Sequence, residues 1–252
     1  MFMRLVNARY KPEALPAIRE VYNSTIIPRL EKIDGCLCVC AITNDKNPEE
    51  GISLTLWETP EHARAYEKSG VYTELFNKVQ PFLLNSSEWR VKLSEEMKVE
   101  YKPVDREPVI QTFTSAAQSD REFPDHNQKN FMYLRILSVQ LNPGKLDEFR
   151  SIYEKNILPA LEKLKGCRFA FMTTSGEEEN KVVCVSLWDS KQDADAYEKS
   201  GLFEELREKT QHTYSDFYRW KMALEKEYGS KVKTSEDLKL DTYSVVIGKS
   251  FR

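Results

Sequence analysis

The chain has 252 residues, 40% hydrophobic and 31% charged, a composition of globular rather than disordered or fibrous proteins. Its 37 basic and 40 acidic side chains leave a formal charge of −3, which gives no electrostatic reason to expect nucleic acid or an anionic membrane as partner. Residues 1–7 lack the apolar core of a signal peptide, no apolar run is long enough to span a bilayer, and five cysteines do not make a disulfide framework, so a cytoplasmic protein is expected.

The elements come twice. Leu56-Trp57, Ala63, Ala65 and Tyr66-Glu67-Lys68-Ser69-Gly70 return as Leu187-Trp188, Ala194, Ala196 and Tyr197-Glu198-Lys199-Ser200-Gly201. The offset is 131 residues (188 − 57), and at that offset 28 of the 90 positions from 4 to 93 are identical without a gap. Two copies are too few for a solenoid, and about 110 residues each is the size of a small domain.

Residues 3–10 read as a first strand, with Arg4, Val6, Ala8 and Tyr10 on one face and Leu5, Asn7 and Arg9 on the other. Asn7 and its counterpart Ser138 are polar in both copies, either as a strand end turned to solvent or as a pocket lining. A helix follows, with Leu15, Ile18, Tyr22, Ile26, Leu30 and Ile33 at spacings of three and four, repeated as Leu146, Phe149, Tyr153, Ile157, Leu161 and Leu164. Pro28 and Pro159 fall inside these stripes and predict a kink or break. Gly35 and Gly166 are expected as left-handed caps.

Strand 2 carries Cys36, Cys38 and Cys40 at alternate positions, a spacing that would suit a thiolate metal site if it were not Cys167, Phe169 and Phe171 in the other copy. Core packing is the expectation. Strand 3 covers residues 52–57 and 183–188, and Thr59-Pro60 and Ser190 then cap a helix bearing Ala63, Tyr66 and Ser69 on one face. Leu75, Val79 and Phe82 continue an apolar stripe, and Trp89 and Trp220 open a fourth strand. Residues 109–113 and 243–247 read as tail strands. The expected division is 1–113, a linker at 114–131, and 132–252.

Strand, helix, strand, strand, helix, strand is the ferredoxin-like split arrangement, so the fold class is α+β. On Ile27-Pro28 and Leu158-Pro159, Gly35-Cys36 and Gly166-Cys167, and the Leu56-Trp57 stretch with its copy, the chain resembles the antibiotic biosynthesis monooxygenase family of the dimeric α+β barrel superfamily. The resemblance implies two domains facing each other through their sheets. Here the tandem repeats would close that barrel within one chain, the tail strands crossing to the opposite half. An internal pseudo-dimer is compatible with a monomer or a homodimer.

The resemblance further implies cofactor-independent oxygenation of a small aromatic or phenolic metabolite, in which the ionised substrate itself reduces oxygen. Asn7 and Tyr66 are the catalytic candidates, with Tyr22, Trp57, Phe76, Ser138 and Tyr197 as substrate-binding candidates; packing is the competing role for the repeated aromatics. The alternatives are a non-catalytic module for a hydrophobic ligand or protein, and a haem-binding or haem-degrading enzyme. For haem, the resemblance places the iron ligand at Phe76 or Arg207, neither of which ligates iron. His62, His126 and His212 stand elsewhere. No glycine fingerprint of a nucleotide site, paired-histidine zinc motif or Cys-x-x-Cys occurs.

Overall fold

Eight antiparallel strands close into one barrel in the computed structural model, which describes residues 1–84, 87–93, 99–105, 109–118, 133–175, 180–216 and 238–250. In the first copy the strands are β1 (Phe2–Arg9), β2 (Cys36–Asn44) and β3 (Glu50–Trp57). The helices are α1 (Leu15–Val21), α2 (Ile27–Leu30), α3 (Pro60–Lys68) and α4 (Val71–Val79). Next come β4 (Ser87–Leu93), β5 (Val99–Asp105) and β6 (Val109–Gln118). The second copy repeats the plan with β7 (Tyr133–Gln140), α5 (Leu146–Ile152), α6 (Leu158–Glu162), β8 (Cys167–Ser175), β9 (Lys181–Trp188), α7 (Lys191–Lys199), α8 (Leu202–Thr210) and β10 (Leu238–Ser250).

The barrel order is β1-β3-β2-β10-β7-β9-β8-β6. β6 pairs with β1 of its own copy and with β8 of the other, while β10 pairs with β7 and with β2. Two ferredoxin-like units thus form the α+β barrel within a single chain, and the tail strands are its seams. β6 continues through Thr114 to Gln118, where the linker was expected to begin, because β8 supplies a partner for it there. The fourth strand of each unit is this tail strand. β4, which contains Trp89, instead pairs with β5 in a separate two-stranded sheet. Trp220, His126 and the linker positions from 119 on lie outside the described residues.

Strand alternation sorts the apolar side chains into three layers. Met3, Leu5, Leu54 and Leu56 meet Leu134, Ile136, Phe171 and Val185 inside the barrel. A second layer lies between the first copy's sheet and its helices, around Ile18, Tyr22, Trp57 and Tyr66, and a third is its equivalent around Phe149, Tyr153, Trp188 and Tyr197. The expectation that three cysteines share a face is corrected by a bulge in β2 between Cys36 and Cys38. The extra residue turns Cys36 to the helices, while Cys38 and Cys40 face the barrel interior. β8 carries the same bulge between Cys167 and Phe169.

The proline-containing helices neither break nor stop at the glycines. Between α1 and α2 the chain makes one π-helical turn, Tyr22–Ile26, in which the Ile27 N–H reaches the Tyr22 carbonyl. Pro28 has no N–H to continue the α-helical ladder, and a wider turn absorbs the loss. Tyr153–Ile157 does the same before Pro159. Gly35 and Gly166 lie a few residues beyond these helices with positive φ of 73° and 82°. A Cβ on Gly35 would meet the His62 ring at 2.3 Å, and one on Gly166 would meet Asp193 at 2.4 Å, so both positions let the second helix pair approach closely.

Candidate functional site

Each copy holds a cavity between its sheet and its helices. In the first, β1 contributes Arg4 and Val6, β3 contributes Ser53 and Thr55, the π-helical turn contributes Tyr22 and Ile26, and α3 and α4 close the far side with Tyr66, Tyr72 and Phe76. The cavity measures about 60 Å³, on the order of four to six water positions at about 10–15 Å³ each, the scale of one small ring. The π-helical turn matters here because it sets Tyr22, Ile26 and Leu30 on one side of the cavity.

Arg4 is the only cation among the described residues lining this cavity, and it is 2% exposed. Its Nε donates to Glu67 Oε1 at 2.6 Å, and Glu67 is itself exposed. Its guanidinium carbon lies 4.2 Å from the centroid of Tyr72 and 6.0 Å from that of Tyr66. Nη2 is buried without a hydrogen-bond partner. A guanidinium fixed by one carboxylate and two aromatic faces, with a donor left over, is suited to hold an anionic or electron-rich oxygen.

The tyrosines are not bases. Burial pushes the Tyr66 hydroxyl well above its usual range although Arg4 pulls the other way. Burial also raises Tyr22, against a hydrogen bond with Ser53. Both remain neutral phenols at physiological pH and can donate or accept hydrogen bonds. Trp57 does not line the cavity. It is fully buried, stacks on Tyr66 with ring centroids 5.0 Å apart, and donates through Nε1 to Thr55 Oγ1 at 2.9 Å. It fixes two cavity residues from behind.

The second copy builds the equivalent cavity, also of about 60 Å³, from Arg135, Tyr153, Ser186, Tyr197, Phe203 and Arg207, among others. Arg135 is 5% exposed, and its Nη2 donates to Glu198 Oε1 at 2.5 Å. Burial pushes the Tyr197 hydroxyl up to about 12, opposed by the charge and a hydrogen bond of Arg135. Trp188 stacks on Tyr197 and donates to Ser186, as Trp57 does to its partners.

Of the expected site residues, the structure brings Tyr22, Tyr66 and Phe76 together in the first cavity and Tyr197 into the second. It does not bring Asn7 to Tyr66, nor Ser138 to Tyr197. Both sit on the strand face shared by Leu5 and Ile136, which points into the barrel, so the whole sheet separates them from the cavities. Arg4 and Arg135 are not among the expected site residues, although an arginine recurring on an otherwise apolar strand face, with Glu67 and Glu198 each 63 residues later, is a usable signal.

A haem does not fit these residues. Phe76 and Arg207 occupy the positions at which the resemblance implies an iron ligand. His62 pairs with Thr59 and Asp34, and His212 with Glu148; no described histidine lines either cavity. Among the described residues no cluster of three His, Cys, Asp or Glu could hold a metal ion, and no helix is long and apolar enough to cross a membrane.

Among solved structures, a proposed monooxygenase from Lactobacillus acidophilus NCFM is 8% identical with a TM-score of 0.67, covering 99% of this chain and 96% of its own. Another proposed monooxygenase, from Fusobacterium nucleatum, is 9% identical with a TM-score of 0.67, covering 99% and 94%. An anthrone oxidase-like protein is 14% identical with a TM-score of 0.56, covering 99% and 93%. At these identities the likeness is one of fold. No curated protein matches the chain. The family profile described as antibiotic biosynthesis monooxygenase matches residues 1–78 and 132–209, one segment in each copy. These segments make up more than half of the sequence, and with the paired ferredoxin-like units they establish that the chain belongs to the antibiotic biosynthesis monooxygenase family, as two tandem members in one polypeptide.

Proposed function

We propose that the chain is a monooxygenase that oxidises a small aromatic or phenolic metabolite in the cavity of its first copy, with Arg4 holding the substrate as an anion. The observation that carries this reading is the buried Arg4 guanidinium, whose Nη2 has no partner inside an aromatic cavity. A buried donor without an acceptor is costly, so a ligand oxygen is favoured there. Beside a guanidinium a bound phenol ionises more readily than in water. The phenolic proton leaves to solvent, while neutral Tyr66 and Tyr22 orient the oxygen and Tyr72 and Phe76 cover the ring.

The ionised ring is electron-rich enough to reduce dioxygen. One oxygen atom enters the ring as a second carbonyl, giving a quinone, and the other leaves as water with the hydrogen of that ring carbon and the phenolic hydrogen. The electrons balance without an outside reductant. The protein supplies orientation and anion stabilisation.

Oxygen uptake with single-ring phenols tests this. Arg4→Met is expected to lower turnover by about 100-fold or more, the scale of one lost anion-stabilising donor. Asn7→Ala should stay within about twofold of the parent, because it lies across the sheet. Unchanged turnover in a folded Arg4→Met variant would remove the anion-holding role. Tight binding of the same phenols with no oxygen uptake would make the cavity a binding module.

A further inference from the structure

We propose that the cavity of the second copy is a separate binding site for a small aromatic carboxylate, gripped by Arg135 and Arg207. The two cavities are built on one plan but differ at the offset of 131. Phe76 becomes Arg207, so the second cavity gains a cation, while hydroxyls are exchanged rather than gained: Val79 and Leu83 become Thr210 and Tyr214, and Ser53 and Tyr72 become Cys184 and Phe203. In both Arg135 and Arg207 the Nε is buried without a hydrogen-bond partner.

The carboxylates that balance these arginines reach in from outside. Glu198 pairs with Arg135 and is 38% exposed, and Glu204 pairs with Arg207 and is 51% exposed. Arg135 is held between Tyr197 and Phe203, its guanidinium carbon 4.9 Å from each ring centroid, so its unpartnered edge has a fixed direction. Both arginines line this cavity with an Nε donor left over, and a carboxylate has two oxygens with which to accept from them.

The remaining wall is apolar, with Leu137, Phe149, Ile157 and Leu206. A ligand that satisfies the arginines and also covers this wall needs a charged head and an apolar body. The volume of about 60 Å³ admits one ring. A monocarboxylate on a single ring meets these conditions. Inorganic phosphate meets only the charge and leaves the apolar wall uncovered.

Isothermal titration of the full chain with benzoate, and with benzamide as its neutral isostere, tests the proposal. The expected result is a benzoate site that benzamide fills more weakly by at least about tenfold, the loss for one charged hydrogen bond. Arg207→Phe installs the residue of the first cavity, and it should lower benzoate affinity by a similar factor. Arg4→Met should leave the Arg207-dependent benzoate site in place, because Arg4 lines the other cavity. Equal binding of benzoate and benzamide would overturn the proposal, as would loss of benzoate binding in a folded Arg4→Met protein. Displacement of benzoate by inorganic phosphate at equal concentration would also overturn it, by showing a site for charge alone. The benzoate, benzamide and phosphate comparison uses the unaltered chain, so it decides the matter even where Arg207→Phe fails to fold.

Discussion

The Arg4 guanidinium is charged, almost wholly buried and tied to one carboxylate, so its neighbourhood should respond sharply to small changes. Glu67→Gln leaves that charge without a counter-ion. Because Glu67 is 39% exposed, the cost is discounted to about 1–3 kcal/mol from the larger values of fully buried pairs, and urea denaturation would read it. Tyr10 and Gly51 make a second sensitive pair. A Cβ on Gly51 would lie 2.0 Å from the Tyr10 ring, and the other copy has Leu141 and Val182 at these places. Gly51→Val alone should destabilise by about 1–3 kcal/mol, and adding Tyr10→Leu should restore most of the loss in a double-mutant cycle. Titration gives a third expectation. Burial raises the hydroxyls of Tyr10, Tyr22, Tyr66, Tyr153 and Tyr197 above the unfolded value of about 10. The folded chain therefore holds these protons more tightly than the unfolded chain. Stability is full below about pH 10 and falls as pH rises through the folded values, beginning with Tyr197 at about 12. Denaturant midpoints that stay level across that range would contradict this.

At the scale of elements, the π-helical turns before Pro28 and Pro159 link a backbone defect to cavity shape. Pro28→Ala restores an N–H and lets the turn tighten to α-helical, which should raise stability by up to about 1 kcal/mol while rotating Tyr22 and Ile26 out of place. Weaker phenol binding together with a higher thermal midpoint is the expected outcome; no change in either would show that the proline does not set the turn. Much of this level was legible in the sequence. The stripes of the first helix, the Thr59 and Ser190 caps and the tryptophans closing β3 and β9 all follow from local spacing that the 131-residue repeat checks twice. What escaped depends on things spacing does not encode. The bulge that turns Cys36 away from Cys38 is one inserted residue, visible only in the pairing with β3. Asn7 was placed on the correct strand, but which strand face meets the helices is decided by the packing of the barrel, and there Arg4 rather than Asn7 faces the cavity.

At the scale of the molecule, the two copies are held by the seams of β6 with β8 and β10 with β2, and by a clamp in which Asp45 accepts from Tyr133 Oη at 2.7 Å and from Lys191 Nζ at 2.8 Å. Removing residues 238–252 takes out β10 and leaves β2 and β7 as open edges. Size-exclusion chromatography should then show association into larger species, since unpaired strand edges recruit one another; a well-behaved single-chain species would contradict the role of β10 as a seam. We propose the division at 1–113 and 132–252 as the unit of duplication, with β6 continuing past the first boundary to reach its partner in the other copy. The seams also set an order of events in synthesis. Cys38 finds its strand partner in Ser250, so the first copy waits, with one edge bare, while some two hundred further residues are made. Until then the nascent protein offers an open template to any extended chain nearby, and its yield in a cell should depend on how fast translation finishes or on chaperones that cover the edge.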